Sequence, residues 1–101
     1  MKYSSIRTYS ELCQRWFSSK AEARRGEELR LFEMAGEIAA LRYQVSFKLS
    51  ESPKVSITID FSYLENGERI FEDTKGILTR DFRTKMVWLK EKYGIDVLLS
   101  R

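Results

Sequence analysis

Val55-Ser56-Ile57-Thr58-Ile59-Asp60-Phe61-Ser62-Tyr63-Leu64-Glu65-Asn66-Gly67-Glu68-Arg69-Ile70-Phe71-Glu72-Asp73-Thr74-Lys75-Gly76 is the stretch that decides the fold. From Val55 to Tyr63 apolar and polar residues alternate, the period of a half-buried strand. Asn66-Gly67 supplies two residues that tolerate positive φ, the signal of a tight primed turn. Arg69 to Lys75 then returns as a second strand, and Gly76 ends it. Side chains alternate across a strand, so Asp73 and Lys75 point the same way, and the hairpin brings Asp60 toward them. Two carboxylates converging beside an ammonium are costly unless something binds between them, and a divalent cation is the usual answer. A lysine beside such a cation can position or activate a water, the chemistry of a metal-dependent phosphodiesterase.

Downstream of the hairpin, Thr79 caps a helix over Arg80 to Tyr93 that Gly94 closes. Phe82, Met86, Leu89 and Tyr93 form its apolar stripe. Ile95 to Leu99 fits a fourth strand, and a strand-helix-strand crossover makes it parallel to the third. Upstream, Leu41 to Leu49 alternates strictly, with Leu41, Tyr43, Val45, Phe47 and Leu49 on one face and Arg42, Gln44, Ser46 and Lys48 on the other. Ser50 to Lys54, with the only proline, reads as a loop.

Before that strand, Ser19 and Glu22 have the spacing of a capping box and open a helix that Gly36 stops. Leu29, Phe32 and Ala35 or Gly36 continue one apolar face, widened by Leu31, Met34 and Ile38. Lys20, Arg24, Glu27, Glu28 and Arg30 make a solvated face. Residues 1–17 have no clean period and read as an N-terminal arm before a single domain over residues 18–101. The arm is expected to hold a short helix over Ser10 to Arg15 and an extended Arg15-Trp16-Phe17. Its aromatics, Tyr3, Tyr9, Trp16 and Phe17, lie among Lys2, Arg7 and Arg15. They are expected to pack on the domain, although aromatics beside basic residues can also stack on bases. The fold class is therefore α/β: a small central mixed sheet flanked by helices, in the order α-β-β-β-α-β.

Composition narrows the chemistry. The chain has 101 residues, enough for one modest core, and 43% are hydrophobic. It has no histidine. That removes hydrolases whose nucleophile needs a histidine base, and histidine-ligated metal centres. Cys13 is the only cysteine, so a cysteine-rich zinc site is excluded; a reducing cytoplasm suits the chain. No apolar run reaches membrane-spanning length and no secretory signal opens the sequence. The net charge of +3 is mild, so any acidic partner would be met by the distribution of charge, not its total.

The order of elements, with an acid on the first helix, Asp60 on the second strand and Asp73-x-Lys75 on the third, resembles the PD-(D/E)xK nuclease superfamily. Ser18 to Arg25, Ala35-Gly36-Glu37-Ile38, Tyr43-Gln44, Ile59-Asp60-Phe61, Glu72 to Gly76 and Lys92-Tyr93-Gly94-Ile95 together resemble one small phage and prophage branch of it, long of unknown function. The likeness covers residues 17–97. It departs from that branch at Cys13-Gln14-Arg15-Trp16, where an Asp-Gly-like turn is expected.

The resemblance implies a Mg²⁺- or Mn²⁺-dependent endonuclease acting on DNA in the cytoplasm of a bacterial host, encoded by phage or prophage. It also implies a homodimer, whose two sites would suit branched DNA such as a Holliday junction. The metal set would be Asp60, Asp73 and the backbone carbonyl of Thr74. Lys75 and Glu22 would complete the catalytic group, with Gln44 as an auxiliary.

Each residue also has a plainer reading. Asp60 fits the solvent face of an amphipathic strand with Thr58 and Ser62. Lys75 could be a surface partner of Asp73. Glu22 could serve the helix cap alone, Gln44 could be an ordinary strand residue, and Glu72 reads as a surface or supporting acid. Arg80, Arg83, Lys85, Lys90 and Lys92 form either a solvated helix face or a phosphate-contacting wall, with Ser18, Lys20, Arg24 and Arg25 opposite. The alternative function is a non-catalytic DNA-binding or phage accessory module on the same scaffold.

Overall fold

The computed structural model describes residues 6–100. Lys2 and Tyr3 of the arm lie outside the described residues. A hairpin of β1 (Thr8–Ser10) and β2 (Arg15–Phe17) leads into α1 (Lys20–Met34). Three strands follow, β3 (Ala39–Glu51), β4 (Lys54–Glu65) and β5 (Glu68–Thr74), then α2 (Arg80–Tyr93) and β6 (Val97–Ser100). The main sheet has the order β3-β4-β5-β6, antiparallel except for the parallel β5–β6 pair. This is the α/β class and the element order read from residue 18 onward. Among the described residues no helix is long and apolar enough to cross a membrane.

Local chemistry accounts for most boundaries. Asn66 and Gly67 take φ of 52° and 80°, and Glu65 pairs with Glu68 across them, giving the expected tight turn. Ser19 Oγ accepts from the Glu22 amide at 3.1 Å, and Thr79 Oγ1 accepts from the Phe82 amide at 3.1 Å. At the end of α1 the Glu37 amide reaches Phe32 O and the Gly36 amide reaches Glu33 O, with Gly36 at φ 82°. That double closure is a Schellman motif, which requires a residue without Cβ strain at Gly36. Gly94, at φ 72°, closes α2. The loop between β3 and β4 is tighter than expected, because Glu51 already pairs with Lys54.

Two expectations fail. The arm does not form a helix over Ser10 to Arg15. Ser10 Oγ accepts from the Cys13 amide at 3.1 Å, as a cap would, but Gln14 turns left-handed at φ 56° and the chain doubles back as a hairpin. Ser10 is buried and donates to Glu27 Oε2 at 2.6 Å, tying the hairpin to α1. The extended Arg15 to Phe17 is present as β2. The second failure is the buried face of α1. Leu31, Phe32 and Met34 are exposed, and the buried positions are Glu22, Ala23, Gly26 and Leu29. A Cβ built on Gly26 would lie 2.7 Å from Phe17 Cζ and 3.3 Å from Phe61 Cε1. The helix therefore approaches the sheet through its small residues, and its apolar second half runs beyond it.

The core is in two parts. Phe17, Ala23, Leu29, Ile38, Phe61 and Tyr63 pack around α1; Leu49, Ile57, Ile59 and Leu89 pack with α2. At β5 the adjacent residues Ile70 and Phe71 go to different clusters, so the two lie on opposite faces there. On β4 one alternating row feeds both, Ile57 and Ile59 to one and Phe61 and Tyr63 to the other. Twist accumulated along the β3–β4 ribbon makes this possible. The row changes core at Asp60. The opposite strand has Gln44 there, bracketed by the pairs Tyr43↔Phe61 and Val45↔Ile59 and held left-handed at φ 54°.

Candidate active site

β4 and β5 pair as far as Phe61↔Glu72 and then fork. Past that point the ladder is continued by side chains. The Asp60 amide donates to Asp73 Oδ1 at 2.8 Å, and the Thr74 amide donates to Asp60 Oδ2 at 3.0 Å. Each carboxylate thus takes one donor that strand pairing would otherwise satisfy, which fixes both in the fork. Lys75 stands just beyond β5, where its amide donates to Ser100 O at 3.1 Å and extends the parallel pairing. Its Nζ is 3.2 Å from Asp73 Oδ2 and 4.4 Å from the centre of the Phe82 ring.

Glu22 arrives from the first turn of α1. Its amide uses the Ser19 cap, but its carboxylate does not return to the cap. Ser18 Oγ donates to Glu22 Oε1 at 2.6 Å and Gln44 Nε2 donates to Oε2 at 2.9 Å. The same Gln44 amide lies 3.4 Å from Asp60 Oδ1, linking two of the acids. Glu22 is 4% exposed, so it is a buried, hydrogen-bonded carboxylate facing the fork. Glu22, Gln44, Asp60, Asp73 and Lys75 are brought together. A cavity of about 400 Å³ opens over Glu22, Asp60 and Lys75, lined also by Ser18, Thr74 and Thr79 among others, with Asp73 buried behind it.

The electrostatics are those of crowded acids. Burial, then the Asp73 charge, push Asp60 up to about 7, with Glu22 adding and the Thr74 amide and Lys75 opposing. Burial also raises Asp73, against the Asp60 amide and Lys75. Asp73 Oδ2 is buried, and its one close partner is the Lys75 ammonium, an ion pair at 3.2 Å. A buried carboxylate oxygen matched only by an ammonium, beside a second raised carboxylate, is a donor set that fits a hard divalent cation. Asp60, Asp73 and the Thr74 carbonyl are the groups that would hold one. Among the described residues no three acids or thiols are close enough to form a ready-made metal cage.

Other expected residues are placed differently. Glu72 is not at the surface: it is fully buried, accepting from Arg25 Nε at 2.6 Å, Arg25 Nη2 at 3.1 Å and Tyr63 Oη at 2.6 Å. Burial pushes its pKa up, but these donors outweigh it and hold the carboxyl below its ordinary value. Arg25 is correspondingly committed to Glu72 and Glu28, so it does not line a groove. Lys20, Arg24, Arg80 and Arg83 are exposed beside the two helix starts that flank the cavity, whereas Lys85 pairs with Asp81 at 3.3 Å. Lys90 and Lys92 lie in the last turn of α2, roughly 15 Å along the axis from its start. They bond Asp96 and Leu49 O. Phe82 was legible only as core; the cation–π contact under Lys75 follows from α2 starting five residues after that lysine.

The sequence matches, over residues 2–100, the family described as protein of unknown function (DUF1064). The chain belongs to that family. No curated protein matches it. No solved structure matches it. This DUF1064 chain therefore has a family without an assigned activity, and the geometry of the fork is what bears on its chemistry.

Proposed function

We propose that this DUF1064 protein is a Mg²⁺-dependent endonuclease that hydrolyses phosphodiester bonds in DNA. The observation that carries the reading is the convergence of Glu22, Asp60 and Asp73 with Lys75 at a strand fork under an open cavity. When bound, a divalent cation would polarise the scissile phosphate and acidify a water. Asp60 and Asp73 would hold that cation, and the relief of their mutual repulsion would favour its binding. Lys75, fixed between Asp73 and the Phe82 ring, would orient the attacking water and stabilise charge developing on the phosphate. Glu22, held by Ser18 and Gln44, would accept a hydrogen bond from a water in the cavity. Lys20, Arg24, Arg80 and Arg83 would contact the backbone on either side.

A second reading, a DNA-binding module without cleavage, is favoured by one observation: the Lys75 ammonium already sits beside the free oxygen of Asp73. Two measurements separate the readings. Calorimetric titration with Mg²⁺ or Mn²⁺ should detect binding to wild type and lose it in Asp73→Asn. Single-stranded, duplex, flap and four-way DNA incubated with Mg²⁺ should be cut by wild type, while Lys75→Ala should bind DNA nearly normally and cut at least about 100-fold more slowly. No cleavage of any substrate, with identical calorimetric curves for both proteins, would refute the nuclease reading.

A further inference from the structure

The hairpin that replaces the expected helical arm carries aromatic surface that the core does not use. In β2 the side chains alternate: Phe17 is buried against α1, and Trp16 turns outward with 52% of its surface exposed. Tyr9 is its direct cross-strand neighbour and is 46% exposed. The two rings meet edge to face at 5.4 Å, and the Arg7 guanidinium lies 4.8 Å from the Trp16 ring centre. Cross-strand aromatic pairs stabilise hairpins, but that role does not explain a tryptophan left half in water under an arginine.

The position of this pair gives it meaning. Trp16 is two residues before Ser18, whose hydroxyl holds Glu22. Two extended residues span at most about 7 Å, so the Trp16 backbone lies within that distance of Ser18, a residue that lines the cavity. A nucleic-acid strand rises about 3.4 Å per stacked nucleotide, so one seated in the cavity would bring a base one or two positions away over Trp16. The exposed charge suits a polyanion: residues 6–20 present Arg7 and Lys20 against Glu11 alone, while Arg15 stacks inward on Tyr43.

We propose that Trp16 and Tyr9, with Arg7, form a stacking platform for unpaired nucleobases beside the cavity, so that the protein engages DNA at single-stranded or splayed positions. This deepens the nuclease reading and rests on it for the identity of the strand in the cavity. Base–aromatic stacking needs an open π-face, which an intact duplex does not present, so the platform discriminates by strand pairing and not by sequence.

The test is a binding measurement without divalent cations, so that cleavage plays no part. In a Trp88→Phe background Trp16 is the sole tryptophan. Oligothymidylate of about 12 nucleotides should quench its emission, and a blunt duplex of equal length should leave it nearly unchanged. Trp16→Ala should weaken oligothymidylate binding about 5- to 100-fold, with duplex binding within about twofold, and Trp16→Phe should recover most of the loss. Equal quenching by both DNAs, or none, would overturn the platform even if Trp16→Ala failed to fold. So would a folded Trp16→Ala protein that binds oligothymidylate normally, or one whose only change is from dimer to monomer, which would make this face a contact between copies. Quenching with no cleavage by wild type in Mg²⁺ would keep the platform and remove the nuclease reading; cleavage without quenching would do the reverse.

Discussion

At the scale of single residues, the fork crowds two carboxylates that burial and nearby charge push toward the neutral form. Asp60 shows this best, since burial and Asp73 raise it to about 7. Asp60→Asn removes the repulsion while keeping an oxygen for the Thr74 amide. It should therefore melt higher than wild type at about pH 8, by roughly 5 °C if about 1 kcal/mol is recovered. It should also lose Mg²⁺ binding and cleavage. A lower melting temperature would mean that the charge at Asp60 is stabilising. Glu22 gives the complementary case. Its carboxylate is held by Ser18 and Gln44 and does not close the helix cap. Glu22→Gln should melt close to wild type yet cleave at a severely reduced rate, read from thermal melting and a cleavage assay on the same preparation. Normal cleavage would leave Glu22 a structural acid.

At the scale of elements, α1 is seated by absence of bulk. Gly26 costs a helix about 0.5–1 kcal/mol relative to alanine, and its place is explained by Phe17 at 2.7 Å from any added Cβ. Gly26→Ala should reverse the usual gain and destabilise by about 1–3 kcal/mol, lowering the melting temperature by roughly 5–15 °C. A higher melting temperature would show that the Phe17 ring can give way. The same contact explains what was legible in the sequence and what was not. Alternation identified β3 and β4, Asn66-Gly67 the hairpin, and Thr79 and Gly94 the ends of α2, because each signal is local. The buried face of α1 was legible only at Leu29, because its other contact residues are Glu22, Ala23 and Gly26, which carry no hydrophobic period. Asp60, Asp73 and Lys75 could be grouped because the hairpin and strand parity place them, whereas Glu22, on α1, joined them only through the resemblance. Arg25 and Glu72 could not be recognised as partners, since a pairing across 47 positions leaves no local trace. The arm was misread because Ser10 caps a turn that Gln14 then reverses.

At the scale of the whole molecule, the two cores meet along the seam that passes through Asp60, so the charge state of the fork is linked to global stability. Asp60 and Asp73 are raised in the folded protein, so it binds more protons there than the unfolded chain does. Their contribution is present at low pH and is lost as pH rises, for Asp60 from about 4 toward about 7. Glu72 is lowered, so its contribution is present above its unfolded value and is lost as pH falls through its folded one. Without divalent cations, stability should therefore decline from about pH 5.5 to about pH 8, and millimolar Mg²⁺ should restore it most at the upper end. Melting curves flat across that range, with and without Mg²⁺, would contradict the linkage. The reciprocal bonds at the fork carry this one step further. The Asp60 and Thr74 amides donate to the carboxylates whose charge is at issue, so their resonances in a nitrogen-15 spectrum form a pair of internal indicators. They should move together when protons leave the fork and again when a cation enters it, making occupancy visible in solution with neither DNA nor turnover present.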